Sequence, residues 1–194
     1  MAHSRILAYP ATVRVWDPLL RVAHWLLAAS VVFALMSDES RSLHKLVGYV
    51  AAGLVVLRIV WGFLGPQHAR FTDFVKSPGE IFAYLRDLVH FRPRRYLGHN
   101  PAGGAMIVLM FVLVLVTAFS GWLSETDRFF GVGWVEAVHA GGANLMIGLI
   151  VLHVGGVILS SFMHGENLIR AMFTGRKPVE ALGDIVNRQA EVTE

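Results

Sequence analysis

Four histidines, His24, His44, His139 and His153, fall at matching depths in apolar stretches of the chain. An imidazole offers a neutral nitrogen to a metal, and an ionisable group inside a membrane helix is costly enough to be a functional residue by default. His139 and His153 lie fourteen residues apart on one segment, so on an α-helix they share a face and are separated by about 21 Å. That spacing suits two cofactors stacked across a bilayer.

The elements that must position them are membrane helices. With 194 residues, 55% hydrophobic and 16% charged, and a mean hydropathy of +0.54, the chain reads as a single all-α integral-membrane domain rather than a soluble one. Four apolar stretches are long enough to span a hydrocarbon layer of about 30 Å. The expected helices cover residues 19–36, 44–64, 102–123 and 139–163. The first two are joined by a short polar linker, and the third and fourth by a segment carrying Glu125, Asp127, Arg128 and Glu136. An antiparallel up-down four-helix bundle follows. The first apolar run starts near Leu19 and no small-x-small pattern follows it, so it is expected to stay as an anchor and not to be cleaved as a signal.

The formal charge of +3 and pI near 9.6 do not point to nucleic acid, because the basic residues cluster beside apolar segments and set orientation instead. Three Lys or Arg precede the first helix or begin it, seven lie from Arg58 to Pro101 and four follow His164, against only Arg41, Lys45 and Arg128 on the other side. Both termini are therefore expected in the cytoplasm. That orientation pairs His24 with His153 near the cytoplasmic side and His44 with His139 near the external side. Each pair can give two nitrogens from facing helices to one flat macrocycle. With no cysteine, the chain offers no thiolate for an iron–sulfur cluster or for covalent haem attachment, so any haem is held noncovalently.

Several other residues accompany these four. Arg21 and Arg58 are placed to meet propionates of a cytoplasmic-side haem, and Lys45, with Arg128, those of an external one; snorkelling to the interface is the alternative for Arg58. His99 and His164 stand at cytoplasmic helix ends, where contact with propionates, with a quinone or with nothing are the alternatives, while His3, His68 and His90 read as solvated. Gly48, Gly53, Gly141, Gly142, Gly148, Gly155 and Gly156 fit either a bulky ring between helices or close helix packing alone. Trp16, Trp25, Trp61, Trp122 and Trp134 sit near expected membrane boundaries as an aromatic belt. In the long middle connection, Ser77-Pro78-Gly79-Glu80 has capping-box spacing, and Ile81, Phe82, Leu85, Leu88 and Val89 make one apolar face. A short amphipathic helix on the cytoplasmic membrane surface is expected there, anchoring the loop or docking a redox partner. Arg92, Arg94 and Arg95 read as a positive stop before the third helix. Residues 178–194 form a short cytoplasmic tail.

The runs VWDPLLRVAHW around His24, HKLVGY at His44, RIVWGFLGP closing the second helix, GHNPAGG entering the third and HGENLIRAMFTGRK after the fourth resemble the bacterial cytochrome b561 family, which includes the b-type cytochrome subunits of nickel–iron hydrogenases. The resemblance covers Val13 to Lys177, and residues 1–177 are taken as one di-haem membrane domain. It implies two noncovalent b-type haems ligated by His24, His44, His139 and His153, passing electrons in a respiratory chain of the bacterial inner membrane between the quinone pool and a redox partner. That partner is a hydrogenase, a cytochrome c or another oxidoreductase. A stand-alone oxidoreductase exchanging electrons between quinone and a small molecule such as superoxide is the second reading, and a haem-free ion-handling bundle the third. The electron-transfer reading requires no catalytic acid, base or nucleophile.

Overall fold

A computed structural model describes residues 12–37 and 40–179. His3 and the tail beyond Val179 lie outside the described residues. Four helices are long and apolar enough to cross a membrane: α1 (Pro18–Met36), α2 (Arg41–Leu64), α5 (Pro101–Leu123) and α6 (Gly133–Met163). Three starts are written plainly in the sequence. Asp17 caps α1 by accepting from the Leu20 amide at 3.0 Å, and Asn100 caps α5 by accepting from the Gly103 amide at 2.7 Å. Each is followed by proline at the first helical position, where its missing N–H costs nothing. The expected capping box opens α4 (Pro78–Val89), with Ser77 and Glu80 bonded reciprocally. Between α2 and α4 lie a 3-10 turn (Gln67–Ala69) and the short helix α3 (Phe71–Phe74).

α6 begins at Gly133, six residues before the expected start. The charged Glu136 hid this, since it breaks the apolar run, yet in the first turn a carboxylate faces the positive end of the helix dipole. The correction matters because His139 now sits within the helix rather than at its tip.

The bundle consists of two hairpins, α1–α2 and α5–α6, joined along α2 and α5. The α6 backbone runs close along α5 and stands further from α1 and α2, which it meets through side chains. Ala51, Val55, Leu113, Val114, Met146 and Leu149 form the central core. Leu26, Phe33, Phe63, Val112, Phe119, Val151 and Phe162 are among the many large side chains left facing outward. Lipid is as apolar as these side chains, so the helices hold together by close packing and hydrogen bonds more than by the hydrophobic effect.

At one end, here called basal, α1 and α5 begin and α2 and α6 end. A cap encloses it that the hydropathy pattern did not foretell. Strand β1 (Thr12–Arg14) pairs antiparallel with β2 (Arg176–Pro178), tying the start of the described chain to the segment after α7 (Leu168–Thr174). Val15, Trp16, Leu20, Ala69 and Ala171 close a second apolar cluster beneath this ribbon. Trp16 is 5% exposed, which corrects the interfacial-belt expectation for that residue. Arg95, expected only as a positive stop before α5, has a structural part as well. Its guanidinium lies 2.9 Å from Glu166, whose other oxygen is 2.9 Å from Lys177, and all three side chains are buried. The partners are far apart in sequence, which is why charge counting alone did not reveal the cluster.

Candidate haem-binding sites

The four histidines meet in the two pairs that depth implied. The His24 and His153 rings, from α1 and α6, have centroids 6.4 Å apart, and those of His44 and His139, from α2 and α6, are 5.8 Å apart. Separations of this size would leave room for a metal atom between two facing imidazole nitrogens, each of which would bond it at about 2 Å. The pairs sit at two levels about 21 Å apart along α6, with Met146 and Leu149 of the central core between them.

Each pair supplies two ligands, whereas a bare zinc ion takes about four. Among the described residues no group of three or more His, Cys, Asp or Glu side chains is placed to hold a metal ion. A flat macrocycle brings its own equatorial ligands and needs only the axial two. Room for one lies where α6 stands off from α1 and α2: a Cβ on Gly48, one turn from His44, or on Gly156, one turn from His153, would meet no atom within 4 Å. The residues present therefore fit the haem that the sequence suggests.

The pairs differ in how their rings are held. His44 donates from Nδ1 to the Ala34 carbonyl at 2.9 Å, one of the last-turn carbonyls that α1 leaves without an intrahelical partner. His139 donates from Nδ1 to the Thr117 carbonyl on α5 at 2.8 Å. Each hairpin thus braces its own distal histidine, leaving Nε2 free to ligate. Gly121 is the residue that sequence reading missed. A Cβ there would lie 2.7 Å from Cε1 of His139, so the ring lodges where a side chain would otherwise stand. Gly142 helps from the other helix, since its Cβ would come 2.2 Å from Oγ1 of Thr117; α5 and α6 approach closely enough there for the Thr117 carbonyl to be reached.

At the basal pair, Nδ1 of His24 is buried without a hydrogen-bond partner among the described residues. The same end of the bundle gathers polar groups. Arg58, 7% exposed, lies with its guanidinium carbon 5.5 Å from the Phe74 ring centroid and 5.9 Å from that of Phe71. Both its terminal nitrogens are buried and unbonded among the described residues. Asp17 is within electrostatic reach but bonds neither nitrogen, and a propionate suits the N–H groups left open. The fourteen-residue offset from His44 does place Arg58 at the basal level. Arg21 donates to the Phe173 carbonyl and keeps a buried, unbonded Nε. His99 packs against Trp16 at 4.5 Å and Phe74 at 5.1 Å between ring centroids. Burial first, then the positive charges of Arg58 and Lys177, push its pKa down to about 3, so it is neutral with Nδ1 unbonded within the chain.

Lys45 and Arg41 both pair with Glu125 in the connection after α5, Arg41 at 2.8 Å. They clamp the distal end, and the two cations hold the Glu125 carboxyl below the usual carboxylate range. Arg128 lies over the Phe129 ring at 5.5 Å. His68 bonds Asp73 at 3.1 Å, and His90 donates to the Arg86 carbonyl at 2.7 Å.

The family described as prokaryotic cytochrome b561 matches residues 15–175. The chain belongs to this family. As a b-type cytochrome it is a haem-binding membrane protein of electron transport. Relatives named as probable Ni/Fe-hydrogenase B-type cytochrome subunits include one from Rhizobium leguminosarum bv. viciae, 23% identical over 90% of each chain. Another, from Azotobacter vinelandii, is 27% identical over 84% of this chain and 87% of its own. That from Cupriavidus necator is 26% identical over 86% and 84%. No solved structure matches the chain.

Proposed function

We propose that this cytochrome holds two noncovalent b haems, one between His24 and His153 and one between His44 and His139, and relays electrons across the membrane between the quinone pool and a redox protein. The facing of two imidazole pairs at two levels of one bundle is the observation that carries this reading. When bound, haem supplies one-electron redox chemistry, with bis-histidine ligation leaving no open position for substrate. The chain's own work is to aim four nitrogens, to close the basal end with the β1–β2 cap and to offer Arg58 and Arg21 as cationic partners for propionates. Lys45 has a weaker part, because Glu125 already neutralises it.

The positive-inside bias puts the basal end and both termini in the cytoplasm of a bacterial inner membrane. A hydrogenase is the redox partner that the relatives' names favour. Anaerobic mixing of the purified, oxidised protein with a short-chain quinol tests the quinone link: the haem absorption bands should become reduced without dithionite. Reduction by dithionite alone would contradict it. Turnover of superoxide by the isolated chain, with quinone present, would instead favour the stand-alone oxidoreductase.

A further inference from the structure

We propose that the C-terminal turn of α4 is a binding site for the phosphate headgroup of an anionic phospholipid. This goes beyond the haem reading and does not depend on it. α4 packs against α5, with Tyr84 turned inward, 5% exposed. Successive residues advance by about 100° round a helix, so Phe82, Leu85 and Val89 form an adjoining stripe that the bundle does not cover. They are 70%, 40% and 74% exposed. Arg86 and His90 follow on the far border of that stripe, and Asp87 and Glu80 come further round. Basic residues thus rim the apolar stripe while the acidic ones point away from it, as on a helix lying in a lipid interface.

Two further observations place the headgroup. Arg86, Asp87, His90 and Arg92 line a cleft of about 490 Å³. The two guanidiniums outweigh the single carboxylate, which lies 3.6 Å from Arg86, so the cleft suits an anion. Phe91 follows the helix with φ of 55°, a left-handed conformation that favours glycine at this position, and it is 77% exposed. An outward aromatic that precedes Arg92 and adjoins the apolar stripe is matched to acyl chains next to a phosphate.

The full-length protein in detergent, given equimolar phosphatidylglycerol and phosphatidylcholine and examined by native mass spectrometry, tests this. Phosphatidylglycerol adducts should exceed phosphatidylcholine adducts about tenfold, as two arginines facing an anionic headgroup imply. R86Q/R92Q should abolish the preference. F91G, which suits the left-handed conformation and so keeps the fold, should weaken the adducts of both lipids and leave the preference between them; loss of the preference alone would contradict the acyl-chain role. Equal binding of the two lipids by the wild type would overturn the proposal without recourse to any variant, as would an unchanged preference in R86Q/R92Q. Adducts of inorganic phosphate with no preference between the lipids would overturn it too.

Discussion

The two histidine pairs are alike in separation and unlike in support. At the distal level, hydrogen bonds to Ala34 and Thr117 carbonyls orient both rings from within their own hairpins. At the basal level, Nδ1 of His24 has no such brace among the described residues, and a tertiary cap of ribbon, ion pairs and aromatic rings closes that end of the bundle. One pair is thus aimed by backbone carbonyls, while the other lies toward a tertiary cap. A carbonyl that accepts from Nδ1 makes the opposite nitrogen a stronger donor, so the distal haem is expected to have the lower reduction potential of the two, other influences being equal. A redox titration resolving two components checks this once each is assigned with a ligand variant.

The ligand variants carry the largest expected effect. H153A should remove the basal haem and H139A the distal one, each leaving one haem per chain by pyridine haemochrome; retention of two in either would break the pairing. G121A comes next. Its methyl would sit 2.7 Å from the His139 ring, so the distal haem should be lost or become high-spin while the basal spectrum stays unchanged. G48A, where a Cβ meets nothing within 4 Å, is a milder probe of the room beside His44.

The cap is tested by E166Q, which leaves Arg95 and Lys177 buried without their shared carboxylate. Breaking such a cluster costs about 3 kcal/mol, to be read as a fall in thermal stability in detergent, with the basal haem signal lost before the distal one. The smallest effect is acid sensitivity. His99 has a folded pKa of about 3 against 6.5 unfolded. Below pH 6.5 the unfolded chain binds the extra proton, so stability that is full above pH 6.5 declines as pH falls toward 3. H99Q should flatten the dependence of melting temperature on pH between 7 and 5.

What was legible in the sequence follows the same division. Spans, the α4 capping box and the depth of each histidine depend on local pattern, and a fourteen-residue spacing on α6 was enough to form the pairs. Arg58 was reachable by the same arithmetic from His44. Gly121 was not, because its role exists only where α5 meets α6, and glycine alone carries no direction. The cap was hidden for a related reason: Arg95, Glu166 and Lys177 each look like ordinary interfacial charges until long-range folding brings them together. The early start of α6 was masked by Glu136, whose charge reads as loop although it suits a first helical turn.

The central claim is that each imidazole pair holds its own haem. The most direct measurement is the haem content of the purified wild-type protein per chain, with low-temperature electron paramagnetic resonance of the oxidised form. Two noncovalent b haems are expected, both low-spin as bis-histidine ligation requires. One haem per chain, or a stoichiometric high-spin signal from a correctly folded preparation, would contradict it.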